Sequence, residues 1–253
     1  NLSSTSTISQ ATSDIIAGTL NVTNTNGDVS LFSSSNDIDV LGTIDVGTNT
    51  FGLTDHVASG VTQSGPLTAG TFTYTNNLGP TTLTNAANAV SNFGNILTSG
   101  QTFNFTNTVD LAQTGTLTAD NFSITSSGSV VLDQINSVGT VAASLTGSGK
   151  AFTLNAENNG LLTVGSVNSI NGISTTDGAI TITNNDDITV SNNITAGTST
   201  VSLNANGVNM LLTIGATETV SGSGGITYIA DNMTLNTGSS TNGGAGGVVL
   251  RPY

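Results

Sequence analysis

The residues best suited to chemistry in this chain are few, and their spacing limits what they can do. His56 is the single histidine of 253 residues and follows Asp55 in "GLTDHVASG". A histidine beside a carboxylate is half of a general-base arrangement, which also needs a nucleophile and an orienting partner. Serine is so abundant here that a serine near His56 carries no information, and His56 reads as a loop residue. Carboxylate pairs stand at Asp37/Asp39 and Asp186/Asp187. Glycoside hydrolysis needs two carboxyls facing each other across a substrate. Asp37 and Asp39 lie two apart, too local to bracket a sugar, and both pairs read as solvated turns. No catalytic residue is assigned, and the chain reads as not an enzyme.

Calcium is the remaining chemical option. "SNDIDV" (Ser35 to Val40) and "NNDDITV" (Asn184 to Val190) cluster oxygen ligands of the kind a hard cation takes. Neither matches an EF-hand loop, and tight turns use the same residues, so the metal ligands stay unassigned and no cofactor is expected. Asn-x-Ser/Thr sequons at Asn1, Asn21, Asn104, Asn121, Asn193 and Asn232 arise by chance in so Asn- and Thr-rich a chain.

Composition narrows the partners. Charged residues make up 7% of the chain, against roughly 25% in ordinary soluble domains. The net charge is −13, with Lys150 and Arg251 as the two basic residues. Phosphate backbones and anionic lipid find almost nothing to neutralise them, which argues against both as ligands. There is no cysteine, so no disulfide and no thiolate metal site. No apolar run approaches the 18 or so residues of a membrane-spanning helix, and no membrane insertion is expected. The chain begins at Asn1 without Met, which reads as a trimmed piece of an exported precursor.

The elements that must position these residues follow a beat of apolar-x-apolar triplets bounded by Asn, Asp, Gly, Ser and Thr, the period of a strand. The starts are Val29, Phe51, Phe72, Phe103, Phe122, Phe152, Ile180, Val201, Ile226 and Val248, about 24 residues apart on average. Second beats fall between them, among them Leu162/Val164, Ile188/Val190, Leu212/Ile214 and Met233/Leu235. Fixed strands with a variable step predict an all-β solenoid of about ten coils, a single domain over 1–253, with insertions leaving at the corners. Inward residues are then aliphatic or aromatic and outward ones Thr, Ser or Asn. Low charge follows, because identical charges stacked about 4.8 Å apart repel whereas stacked Asn or Thr can hydrogen-bond. Tandem β-sandwich domains are the alternative fold. The Ala-rich "NAANAVSNFGNIL" (Asn85 to Leu97) is expected to hold one helical turn or a corner insertion. The threonine-rich strands suggest an ice-binding face, but the irregular step argues against such a lattice.

The stretch "SVVLDQINSVGTVAASLTGSGKAFTLNAENNGLLTVGSVNSINGISTTDGAITITNNDDITVSNNITAGTSTVSLNANG", followed by "GGITYIADNMTLN" and "GGVVLRPY", resembles the repeats of filamentous-haemagglutinin-like bacterial surface adhesins. The likeness covers Ser129 to Tyr253 well and the first half loosely. It implies a right-handed parallel β-helix, export to the cell surface or the extracellular space, and an adhesive or filament-forming role. It brings no catalytic residues. The expected function is a structural extracellular protein, a subunit or segment of an adhesin or filament. Its expected partners are further copies of itself, joined head-to-tail through open β-helix ends, and a glycan or protein receptor. A carbohydrate-binding or carbohydrate-cleaving β-helix is the alternative. It needs an exposed aromatic platform or a cleft of carboxylates; the inward positions of Tyr74 and Tyr228 and the absence of tryptophan weaken it.

Overall fold

The alternation of Val, Ile, Leu and Phe with Thr, Ser and Asn has the two-residue period of a pleated strand, and strands are what it forms. A computed structural model describes residues 1–157 and 160–253. It is all-β, with a single 3-10 turn at Gly244–Gly246 as its helical content among the described residues. The strands pair in parallel, each with the strand about one coil further along, and the coils number about twelve rather than ten. The chain divides into two compact units, Asn1–Asp120 and Asn121–Tyr253.

In the second unit the principal ladder has six strands: Val130–Leu132, Phe152–Ala156, Ile180–Asn184, Thr200–Ala205, Gly225–Ile229 and Val248–Arg251. Val130, Phe152, Ile180, Val201, Ile226 and Val248 stand in register, so the expected starts from Phe152 onward mark true coil neighbours. Ile180, Ile182, Leu203 and Tyr228 are fully buried. A second ladder joins Leu162–Val164, Ile188–Val190, Leu211–Ile214 and Asn232–Leu235. A third runs through Ile173, Ile194, Val220 and Thr241. Each coil therefore carries three short strands.

The step between coils varies most where a corner swells. Ala143 pairs with Ile173, a separation of 30 residues, while Ile173 pairs with Ile194 after 21. The excess is an antiparallel hairpin, Ser166–Val167 with Ile170–Asn171. Its two-residue turn is built by Asn168 and Ser169 at φ 48° and 69°, the primed geometry that suits the twist of a tight hairpin. The hairpin is pinched off by Gly172, whose N–H donates to the Gly165 carbonyl at 2.8 Å. Gly172 has φ +69°, and a Cβ there would lie 2.0 Å from the Asn193 carbonyl oxygen, so only glycine closes this corner.

The first unit departs from the expected register. Phe51 pairs with Phe72, and Phe72 pairs with Phe93 rather than Phe103. A bulge in "FGNI" places Phe93 and Ile96 three apart, opposite Phe72 and Tyr74 two apart, and this breaks the apolar-x-apolar beat. Phe103 belongs to a different ladder and pairs with Thr81. The two ladders meet inside the unit, where Phe93 and Phe105 stand edge to face at 5.1 Å and Phe103 and Phe105 stack at 5.9 Å. Phe51 stacks on Phe72 at 5.9 Å. All five rings are buried, each of a size whose truncation costs about 3–5 kcal/mol. The Ala-rich stretch forms no helical turn. A corner at Asn85 to Asn88 leads into the long strand Ala89–Asn107, since the β-branched and aromatic residues that follow favour the sheet.

Candidate functional site

His56 and Asp55 lie at one corner of the first unit. His56 is exposed, and its link to the carboxylate runs through its backbone: the His56 N–H donates to Asp55 Oδ1 at 3.0 Å and to the Asn36 carbonyl at 2.8 Å. Asp55 is 3% exposed, and its Oδ1 also accepts the Ile38 N–H at 3.1 Å. Its Oδ2 is buried without a hydrogen bond. Burial raises its pKa to about 6, and the nearby charges of Asp37 and Asp39 push the same way, against the two backbone N–H donors. The sequence thus separates two candidate clusters that the coils bring together. Asp37 and Asp39 are exposed and lie in the strand Asp37–Asp45, not in a turn.

Asp186 and Asp187 do form a corner. Asp186 Oδ1 accepts the Asp187 N–H at 2.7 Å, and Asp187 Oδ1 accepts the Leu211 N–H of the next coil at 2.7 Å. Asn184, fully buried, donates to the carbonyls of Gly160 and Asp187, both at 2.8 Å. These oxygens hold backbone. Among the described residues no three His, Cys, Asp or Glu side chains gather as a metal site, and neither unit has a pocket. Among the described residues no helix is long and apolar enough to cross a membrane.

Tyr74 and Tyr228 are fully buried. The Thr81 hydroxyl donates to the Tyr74 oxygen at 3.2 Å, and the Tyr228 hydroxyl lies 3.1 Å from Thr241 Oγ1. Burial drives the pKa of both tyrosines upward, that of Tyr228 to about 12. Neither offers a ring to a sugar. The sequon residue Asn104 is also buried, while the Oδ1 atoms of Asn21 and Asn193 accept the N–H groups of Thr43 and Thr219.

What the coils do present is an outward face. In the second unit Thr140, Thr163, Thr189, Thr213 and Thr234 form one in-register ladder on five successive strands. The flanking residues Leu162, Val164, Ile188, Val190, Leu212 and Ile214 point inward and are buried, so the threonines between them face out. The irregular step does not disorder this ladder, because corners absorb the extra length.

A corner network escaped the sequence reading. Fully buried Asn36 donates through Nδ2 to the carbonyls of Leu31 (3.2 Å) and Thr54 (2.9 Å). It exchanges side-chain bonds with Gln10 at 2.7 and 3.1 Å, and its Oδ1 accepts the Ile15 N–H at 2.8 Å. Asn88 repeats this with Gln63 at 2.6 and 3.1 Å, the Leu83 carbonyl at 3.1 Å and the Leu67 N–H at 2.8 Å. The signal for it was a 52-residue echo: "SSNDIDVLGTI" against "AANAVSNFGNI", and Phe51-x-Leu53 against Phe103-x-Phe105.

Comparison with protein-family models, with curated proteins and with solved structures found no match to this chain.

Proposed function

We propose that this chain is a structural, non-catalytic β-solenoid of the bacterial cell surface or extracellular space, a segment or subunit of an adhesin or filament. The observation that carries this reading is where the candidate chemistry goes. Asp187, Asn184, Asn36 and Asp55 hold backbone at corners, and the second unit presents an outward uncharged ladder through Thr163, Thr189 and Thr213. Ladders of this kind offer stiffness and a hydrogen-bonding surface, not a reaction centre. The likeness to adhesin repeats over Ser129 to Tyr253 points the same way.

Association runs along the coil axis in this reading. The strand Val248–Arg251 pairs with Gly225–Ile229, and Val248 and Leu250, at positions that are buried in the coils below, are 44% and 55% exposed. One more coil, from the same polypeptide or from a second copy, completes that ladder by strand addition. A carbohydrate-binding or carbohydrate-cleaving function has less support, since Tyr74 and Tyr228 are buried and the pair Asp186/Asp187 is engaged with backbone N–H groups.

Electron microscopy of the purified chain at neutral pH, with and without calcium, tests the reading. Uniform fibres, or stiff rods that bind a surface receptor without turning it over, are the expected results. Turnover of any glycan by the purified chain would overturn it.

A further inference from the structure

The two corner networks of the first unit are copies, 52 residues apart, and they differ at one informative atom. The Thr108 N–H donates to the Asn88 carbonyl at 2.9 Å as the His56 N–H does to that of Asn36. The Asn85 N–H donates to Gln63 Oε1 at 3.0 Å as the Ser33 N–H does to Gln10 Oε1 at 2.9 Å. The Val90 N–H donates to Asn107 Oδ1 at 2.8 Å as the Ile38 N–H does to Asp55 Oδ1 at 3.1 Å. Asp55 therefore occupies the place of Asn107. In the second copy the remaining Asn107 atom, Nδ2, donates to the carbonyls of Val90 and Val109 at 2.9 and 2.8 Å. In the first copy the corresponding atom is Asp55 Oδ2, buried and without a donor.

In the second copy this place faces two carbonyls, and an ionised carboxylate oxygen has no proton to give such acceptors. A protonated carboxyl repairs the mismatch, because its O–H can donate where the amide does. We propose that Asp55 is a buried carboxylic acid standing in for the corner asparagine, and that it makes this corner a pH-sensitive clamp, closed in acid and loosened when the proton leaves. The charges around it favour the protonated acid, and the two backbone N–H groups that donate to Oδ1 oppose it. Asp37 and Asp39 add like charge, the Tyr74 hydroxyl is neutral and couples to Asp55, and His56 reaches it through its backbone N–H.

The sign follows from linkage. A carboxyl whose folded pKa lies near 6 rather than 3.8 binds its proton more tightly when folded. Its contribution to stability is complete below pH 3.8 and is lost as pH rises through about 6. Two decades in proton affinity correspond to about a hundredfold in the corner's opening equilibrium between pH 4 and 7.

The test is hydrogen exchange of the Ile38 and His56 amides, corrected for intrinsic rates, together with a carboxyl NMR titration of Asp55. Protection is expected to fall by up to about a hundredfold from pH 4 to 7 in the wild type. Asp55→Asn should flatten that dependence and be the better protected protein at pH 7. Asn107→Asp should install a matching dependence at the Val90 amide. A wild-type Asp55 that titrates near pH 4, or protection that is flat from pH 4 to 7, overturns the proposal. The wild-type titration decides the matter even where a variant does not fold.

Discussion

Asn36→Ala removes the centre of a corner, and its cost can be worked from the bonds it makes. The side chain satisfies the Leu31 and Thr54 carbonyls, the Ile15 N–H and both ends of the Gln10 amide, all from a fully buried position. An N–H has one proton to give, so the Ile15 amide is left without a partner. A buried backbone group orphaned in this way costs about 1–3 kcal/mol; with Leu31 buried and Ile15 and Thr54 half-buried, the total is about 3–5 kcal/mol. The loss should be local first. Hydrogen exchange at the Ile15 amide is the direct reading, and a penalty of this size lowers its protection by a hundredfold or more. Asn88→Ala provides the matched measurement, since Asn88 holds the Leu67 amide in the copied network. Both variants should lose protection by similar factors. Less than a tenfold loss at either amide would refute the view that these asparagines, and not the apolar ladders alone, hold the corners.

Two further outcomes are expected. Deleting residues 166–171 and joining Gly165 to Gly172 should leave the melting temperature within a few degrees of wild type, because Gly165 and Gly172 are already hydrogen-bonded at 2.8 Å; loss of the parallel ladder in a circular dichroism melt would count against it. Replacing Thr163, Thr189 and Thr213 together by lysine stacks like charges on adjacent strands, at about 1 kcal/mol per neighbouring pair in water, and added salt should recover part of the loss; a salt-independent loss would mean the threonines pack rather than merely face water.

How much of this was legible depends on what interrupts the beat. Along Phe152, Ile180, Val201, Ile226 and Val248 nothing does, and the register read from the sequence is the register of the ladder. At Phe93 a one-residue bulge moves the second apolar residue to Ile96, so the apolar beat skips this coil and resumes at Phe103, which belongs to another ladder. That jump contributes to reading ten coils where there are about twelve. The corner chemistry was opaque for a different reason. A buried asparagine that satisfies four backbone or side-chain groups and an asparagine at an exposed turn are the same letter, and only the partners supplied by a neighbouring coil tell them apart. Asp55 and Asp37 illustrate the limit: 18 positions separate them along the chain, yet the fold sets their charges against each other.

The copied corner has a geometric consequence. Coils in the first unit advance by 20 to 23 residues, so a 52-residue duplication is two turns and a remainder. Phe51 and Phe103, matched in the copy, consequently stand in different ladders. The duplication behaves like a vernier against the winding. Each copy swings the same motif to a new bearing around the axis, and a surface carrying it becomes graduated instead of striped. A chain lengthened by such copying turns one corner toward several directions without having to devise a second.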